Sequence, residues 1–153
     1  MRIYLVRHGS AVSEQEDPSR PLSSEGRRDI ELVARTLGIM NLKVDTIFHS
    51  GKLRAEQTAQ IIAGAIEVRN GVKKTSGLAP NDEPAEALAL IEAADDDIML
   101  VGHLPHLDNL LKALVRPAEG EGLPEFTAGA CIGVEKSAGG WQIFRALGPR
   151  MIW

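Results

Sequence analysis

The sequence predicts an α/β fold in which a mostly parallel central sheet carries helices on both faces, and three observations support it. Short strand-like runs alternate with amphipathic helical patterns along the whole chain. Two of the runs, Ile3-Tyr4-Leu5-Val6 and Ile98-Met99-Leu100-Val101, are apolar without a break, the pattern of strands buried on both faces of a parallel sheet. Three runs end in a histidine, at His8, His49 and His103, and parallel strands bring their carboxyl ends to one edge, where open α/β sheets place ligands. A chain of 153 residues with 44% hydrophobic content suits one globular domain over residues 1–153 with a single sizeable core.

Residues 2–6 read as the first strand, followed by a polar loop holding Pro18 and Pro21. Ile30, Leu32, Val33 and Leu37 then mark a helix that Ser23 or Ser24 caps and that ends near Gly38. Residues 44–48 form the second strand, and residues 53–65 a helix with Leu53, Ala55, Ala59 and Ile62 on its apolar face. An extended piece is expected over residues 72–78. Asn81-Asp82-Glu83-Pro84 opens a helix running over residues 85–94. The acidic triplet Asp95-Asp96-Asp97 reads as a solvated turn rather than a metal site. After the strand of residues 98–101, Leu107, Leu110, Leu111 and Leu114 give a helix that stops before Arg116-Pro117. Residues 130–134 and 141–147 are expected to be antiparallel strands joined through Ser137-Ala138-Gly139-Gly140.

Composition removes several classes of function. A net charge of −4 without a run of Lys or Arg argues against nucleic acid as a partner. No stretch approaches about eighteen uninterrupted apolar residues, so no membrane span is expected. Met1-Arg2 leads straight into a strand without a signal-peptide pattern, and the lone Cys131, read as a buried hydrophobe, has no disulfide partner. Both features suit a cytoplasmic protein.

The chemistry is expected where strands end. Arg7-His8-Gly9 delivers a fixed cation and an imidazole to the sheet edge, with a glycine that permits a sharp turn and close approach to a ligand. Arg54 stands at a helix start, where an anion is already favoured. Two arginines and two histidines match the needs of a phosphoryl group: planar donors for its oxygens and a ring nitrogen for its phosphorus.

Four ordered motifs now carry a resemblance. Arg7-His8-Gly9, Arg20-Pro21-Leu22-Ser23-Ser24-Glu25-Gly26, Ser50 with Leu53-Arg54-Ala55-Glu56-Gln57-Thr58, and Val101-Gly102-His103-Leu104-Pro105 resemble those of the histidine phosphatase superfamily. Among its branches the chain is most similar to the small SixA-type phosphohistidine phosphatases. The resemblance implies a phosphoglycerate mutase-like fold and a two-step phosphatase without metal or organic cofactor. It implies that His8 is the nucleophile that becomes phosphorylated, while Arg7, Arg54 and His103 hold the transferred phosphoryl group. The His8 ring nitrogen away from the phosphoryl group should donate to a backbone carbonyl, and nearby cations should keep the ring neutral. The Leu104 backbone N–H is expected as a further phosphate donor if the strand-to-helix turn opens toward the site, and inorganic phosphate or other oxyanions would fit the pocket.

Around this set the readings divide. Ser50 is either a phosphate ligand or a cap for the following helix. Thr58 should brace the helix one turn beyond Arg54, and Arg20 is placed at the pocket rim. Asp82 is the best local candidate for a general acid, its competing role being a cap for the helix near Pro84. His106, three residues after His103, is expected at the rim or surface because no third metal ligand has suitable spacing.

Gly51 departs from the resemblance, since related sequences often carry proline there, so the loop is expected to be more mobile. No long insertion separates the second strand from His103, so no large lid should cover the cleft. An open cleft suits a phosphorylated histidine projecting from a phosphotransfer protein, and a labile P–N bond needs less acid assistance than a phosphomonoester. The alternatives are a small-molecule phosphomonoesterase or mutase-like enzyme, and a phosphoprotein-binding module without turnover.

Overall fold

The computed structural model, which describes residues 1–152, turns the first apolar run into β1 (Arg2–Arg7). There follow α1 (Ser24–Ile39), β2 (Lys43–Val44), β3 (Thr46–His49), α2 (Leu53–Ala63), β4 (Glu67–Val68) and β5 (Val72–Lys74). The second half comprises α3 (Ala85–Ala93), β6 (Ile98–Gly102), α4 (His106–Val115), β7 (Cys131–Ser137), β8 (Gly140–Gly148) and β9 (Met151–Ile152). Seven strands form one sheet in the order β5-β3-β6-β1-β7-β8-β9. The run from β5 to β1 is parallel, whereas β7, β8 and β9 add antiparallel pairs.

Alternation along the central strands explains why both faces are covered. Tyr4, Val6, Met99 and Val101 face one way and pack with Ile30, Val33 and Leu37 of α1 and Ala55, Ala59 and Ile62 of α2. Ile3, Leu5, Ile98 and Leu100 face the other way, against Ile91 of α3 and Leu107, Leu110 and Leu114 of α4. Each Ile or Leu taken fully out of water contributes about 1.5–3 kcal/mol. The uninterrupted apolar runs therefore reflect two cores, one on each side of the same strands. Cys131 is buried in the first of these, and burial pushes its thiol up to about 12, which makes it an inert hydrophobe.

Ser23 caps α1, accepting from the Gly26 N–H at 3.0 Å. The strand expected over residues 44–48 is two elements, because Asp45 turns away: its N–H donates to the Asp97 carbonyl and its carboxylate accepts from Asn70. β2 then pairs with β4 in a separate ribbon, while β3 joins the main sheet. The extended piece of residues 72–78 shortens to β5, since the chain turns over residues 75–84. Asp82 closes part of that turn with its Oδ2 on the Ala79 N–H at 3.0 Å, and α3 begins at Ala85 without a side-chain cap. The acidic triplet is a turn, with Asp96 pairing Arg69 and Asp97 accepting from the Arg2 N–H. Among the described residues no acidic or histidine cluster could hold a metal ion, and no helix is long and apolar enough to cross a membrane.

The loop after β1 is wedged against α1. A Cβ at Gly9 would lie 2.7 Å from the Ile30 side chain and 3.0 Å from the Gly26 carbonyl, and one at Gly26 would collide with the Ser10 backbone. The Gly9 requirement is close packing on α1. Gly26→Ala is expected to destabilise the protein by about 1–3 kcal/mol through overpacking, read as a lower urea midpoint at unchanged slope. An unchanged midpoint would show that the loop and α1 are not in forced contact.

Candidate active site

Register places the site. β6 lies between β1 and β3, with Arg7 opposite Gly102 and Val101 opposite His49. The next residue of each strand, His8, His103 and Ser50, therefore leaves the sheet beside its neighbour. The His8 and His103 rings stand 4.9 Å apart at 54°, and Ser50 Oγ is 2.6 Å from His103 Nε2. Leu53 starts α2 just after Ser50, which brings Arg54 to the same edge.

His8 is held in one orientation. Its Nδ1 lies 2.6 Å from the Gly9 carbonyl oxygen. A carbonyl can only accept, so Nδ1 carries the hydrogen and the neutral ring keeps its lone pair on Nε2. The Gly9 N–H donates to Thr58 Oγ1 at 3.1 Å, and Thr58 donates to the Arg54 carbonyl at 2.8 Å. Thr58 thus ties the helix that carries Arg54 to the loop that carries His8. On the other side, the Gly129 N–H donates to the Arg7 and His8 carbonyls, and Arg7 Nη1 donates to the Phe126 carbonyl at 2.8 Å.

The electrostatics favour an anion and a neutral imidazole. Among the described residues neither Arg7, Arg20 nor Arg54 has a carboxylate within ion-pair distance. Arg7 Nε, Arg54 Nε and His103 Nδ1 are buried without a hydrogen-bond partner in the chain. Burial lowers His8 to about 4, opposed by its bond to Gly9 and reinforced by the charges of Arg54, Arg7 and Arg20. From an ordinary 6.5, this disfavours imidazolium by roughly 3 kcal/mol. His103 falls to about 3, first through burial, then through repulsion by a charged His8, Arg54 and Lys52. Guanidinium forks with unspent N–H groups beside a fixed, unprotonated nitrogen can hold a tetrahedral oxyanion and present a nucleophile to its central atom.

Arg7, His8, Ser50, Arg54 and His103 thus come together as the sequence predicts. Arg20, in a left-handed backbone conformation at φ 47°, bonds the Val12 carbonyl through Nε and lies near enough for its charge to lower both His8 and Arg54. Leu104 follows His103 at the turn into α4 (His106–Val115), half-buried. Asp82 lines a cavity of about 520 Å³ with Ser50, Lys74, Thr75, Ser76, Gly77 and Ala79, its Oδ2 engaged by Ala79. Ser50 also accepts from the Lys52 N–H at 3.3 Å, so its bond at the helix start is to the residue before α2. His49 is buried, its Nδ1 accepting from the Gly51 N–H.

Two expectations change. His106 is fully buried rather than at the rim, because its place on α4 turns it into the sheet-facing side with Leu107 and Leu110. Burial lowers its pKa, while the Asp82 carboxylate and the Gly77 carbonyl oppose the shift. Thr58 braces more than its own helix, since it also receives the Gly9 N–H. Sequence reasoning missed the Phe126 carbonyl on Arg7 and the Gln57 Oε1 that accepts from the Leu22 N–H at 2.8 Å. Gln57 and Thr58 are polar within a helix that packs on a core, and that was the available signal. A backbone carbonyl has none.

The Histidine phosphatase superfamily (branch 1) profile matches residues 3–79 of the chain. An uncharacterized protein of Picosynechococcus is 37% identical over 121 residues, covering 74% of this chain and 73% of the relative. Phosphohistidine phosphatase SixA of Escherichia coli is 26% identical over 153 residues, covering 94% and 93%. Among solved structures, the protein histidine phosphatase SixA complexed with tungstate superposes with a TM-score of 0.84 at 25% identity, covering 97% of each chain.

The neutral pocket sets a pH dependence. Because His8 titrates lower folded than its ordinary 6.5, unfolding takes up a proton as the pH falls from about 6.5 to about 4. The stability from keeping the ring neutral is thus complete above that window and lost within it. Long-range proton–nitrogen NMR is expected to show His8 as the Nδ1–H tautomer at pH 7 and still neutral near about pH 5, with the charge appearing only toward about 4. Protonation near pH 6.5, or the opposite tautomer, would contradict this electrostatic account.

Proposed function

We propose that this chain, which belongs to the histidine phosphatase superfamily and is a phosphatase, takes a phosphoryl group from a histidine of a phosphotransfer protein through a covalent phospho-His8 intermediate. The observation that carries the proposal is the His8 ring locked by Nδ1–H on the Gly9 carbonyl, beside guanidiniums whose Nε atoms have no hydrogen-bond partner in the chain. The likeness to phosphohistidine phosphatase SixA over 94% of the chain supports the substrate class.

The lone pair of His8 Nε2 attacks phosphorus as the P–N bond of the substrate breaks. Arg7 and Arg54 take the phosphoryl oxygens and stabilise the charge spread over them during in-line transfer. A substrate ring that holds a proton on its other nitrogen leaves as neutral imidazole, so the first step needs no strong acid. This transfer asks no acid role of Asp82, whose Oδ2 accepts from the Ala79 N–H. Water then attacks phospho-His8, the new P–O bond replaces the P–N bond, and phosphate leaves with the Nε2 lone pair restored. Between β3 and β6 the chain is spent on α2, β4, β5 and α3, without a long inserted segment, and a cavity lined by Ser50, Lys74 and Asp82 adjoins the residue that contacts His103. This supports a substrate carried on another protein. The expected setting is the cytoplasm.

Turnover is to be compared on phosphohistidine proteins and on sugar phosphates at equal concentration, with Arg54→Ala alongside. Preference for the phosphohistidine proteins is expected, and Arg54→Ala should lower kcat by about 10²- to 10³-fold. Preference for the sugar phosphates would replace the substrate assignment with a small-molecule phosphomonoesterase.

A further inference from the structure

Ser50 stands between two groups that fix what its hydroxyl can do. Its Oγ accepts from the Lys52 N–H at 3.3 Å and meets His103 Nε2 at 2.6 Å. The reverse turn that brings Lys52 round to it passes through Gly51 at φ +89°, a conformation open to glycine and closed to proline. Gly51 is further covered by the Lys74 side chain, close enough that a Cβ would lie 2.5 Å from Lys74 Cε.

A serine hydroxyl has one hydrogen and two lone pairs, and a neutral imidazole has one donor and one acceptor. Lys52 occupies one lone pair of Oγ. If Nε2–H donated to the other, the hydroxyl hydrogen would have no acceptor among the described residues, and His103 Nδ1 would be a buried bare lone pair. The His103 ring stands 4.9 Å from the His8 ring, and a bare lone pair offered there to a phosphoryl oxygen would repel it. If Ser50 O–H donates to Nε2, the hydroxyl is fully used and the ring hydrogen moves to Nδ1. Nδ1 is the His103 nitrogen that has no partner in the chain.

We propose that Ser50 is a positioning residue that holds His103 in the Nδ1–H tautomer, so that His103 offers the phosphoryl group a neutral donor. His8 and His103 then share one tautomer for different ends. In His8 the hydrogen on Nδ1 frees Nε2 for attack, whereas in His103 the hydrogen on Nδ1 is itself the useful group. Burial and the neighbouring cations keep His103 neutral, so a neighbour must select the tautomer, as carboxylates and carbonyls do for metal-binding histidines. The catalytic half of the proposal rests on the phosphoryl-transfer reading, while the tautomer assignment stands without it.

The test pairs NMR with kinetics on the full chain. Long-range proton–nitrogen spectra of wild type at pH 7 should show His103 as Nδ1–H, and Ser50→Ala should convert it to Nε2–H or to a mixture. Ser50→Ala should lower kcat on a phosphohistidine protein by about 10- to 100-fold with little change in KM, and Ser50→Thr, which keeps the hydroxyl, should restore both readouts. A wild-type Nε2–H signal, or a tautomer indifferent to Ser50→Ala in a folded protein, would overturn the proposal. Loss of activity in Ser50→Ala that Ser50→Thr fails to restore, with the tautomer unchanged, would do the same. If wild type proves inactive on phosphohistidine while the tautomer still follows Ser50, the substrate reading falls and the tautomer assignment holds.

Discussion

The parallel register of β1, β6 and β3 is the constraint on which the rest depends. Three strands in a fixed stagger, Arg7 against Gly102 and Val101 against His49, deliver residues from widely separated parts of the chain to adjacent positions on one edge. A slip of one residue would reverse every side chain on a strand, exchanging Ile3 and Leu5 for Tyr4 and Val6 between the two cores. Burial on both faces therefore pins the register, and the register pins the distance between His8 and His103. The hydrophobic core and the geometry of the candidate site share one origin.

Within that frame the site resolves two opposing demands. An anion pocket wants concentrated positive charge, and a nucleophilic imidazole must not become one of the cations. Burial dominates in lowering His8, with Arg54, Arg7 and Arg20 adding to it, so the guanidiniums that would hold the oxyanion also help keep the His8 ring unprotonated. The Gly9 carbonyl acts the other way on protonation, yet it alone selects which nitrogen is free. A bond of this kind contributes only about 0.5–1.5 kcal/mol to stability. Its larger effect is on orientation, which Thr58 extends to α2 and the Gly129 turn extends to β7.

Most of the fold was legible because apolar runs and glycine or proline punctuation report strands and helix ends directly. Arg7, His8, Arg54 and His103 could be placed at one sheet edge from strand ends and a helix start, but the roles expected of them came from the resemblance of four ordered motifs and not from any local pattern. Less visible was anything set by side chains meeting across the fold. The division between β2 and β3 follows from Asp45 bonding Asp97 and Asn70, which no local pattern announces. His106 was misplaced because three-residue spacing after His103 says nothing about which side of α4 faces the core. Ser50 carried two sequence readings, and the structure adds a contact that neither names, with His103 just beyond β6.

The central claim is that His8 itself carries the phosphate. Rapid mixing with a phosphohistidine protein, followed by alkaline quench within the first turnover, should trap acid-labile phosphate on the wild-type chain and none on His8→Ala. Labelling that persists in a folded His8→Ala protein would contradict the account, because the nucleophile would then lie elsewhere.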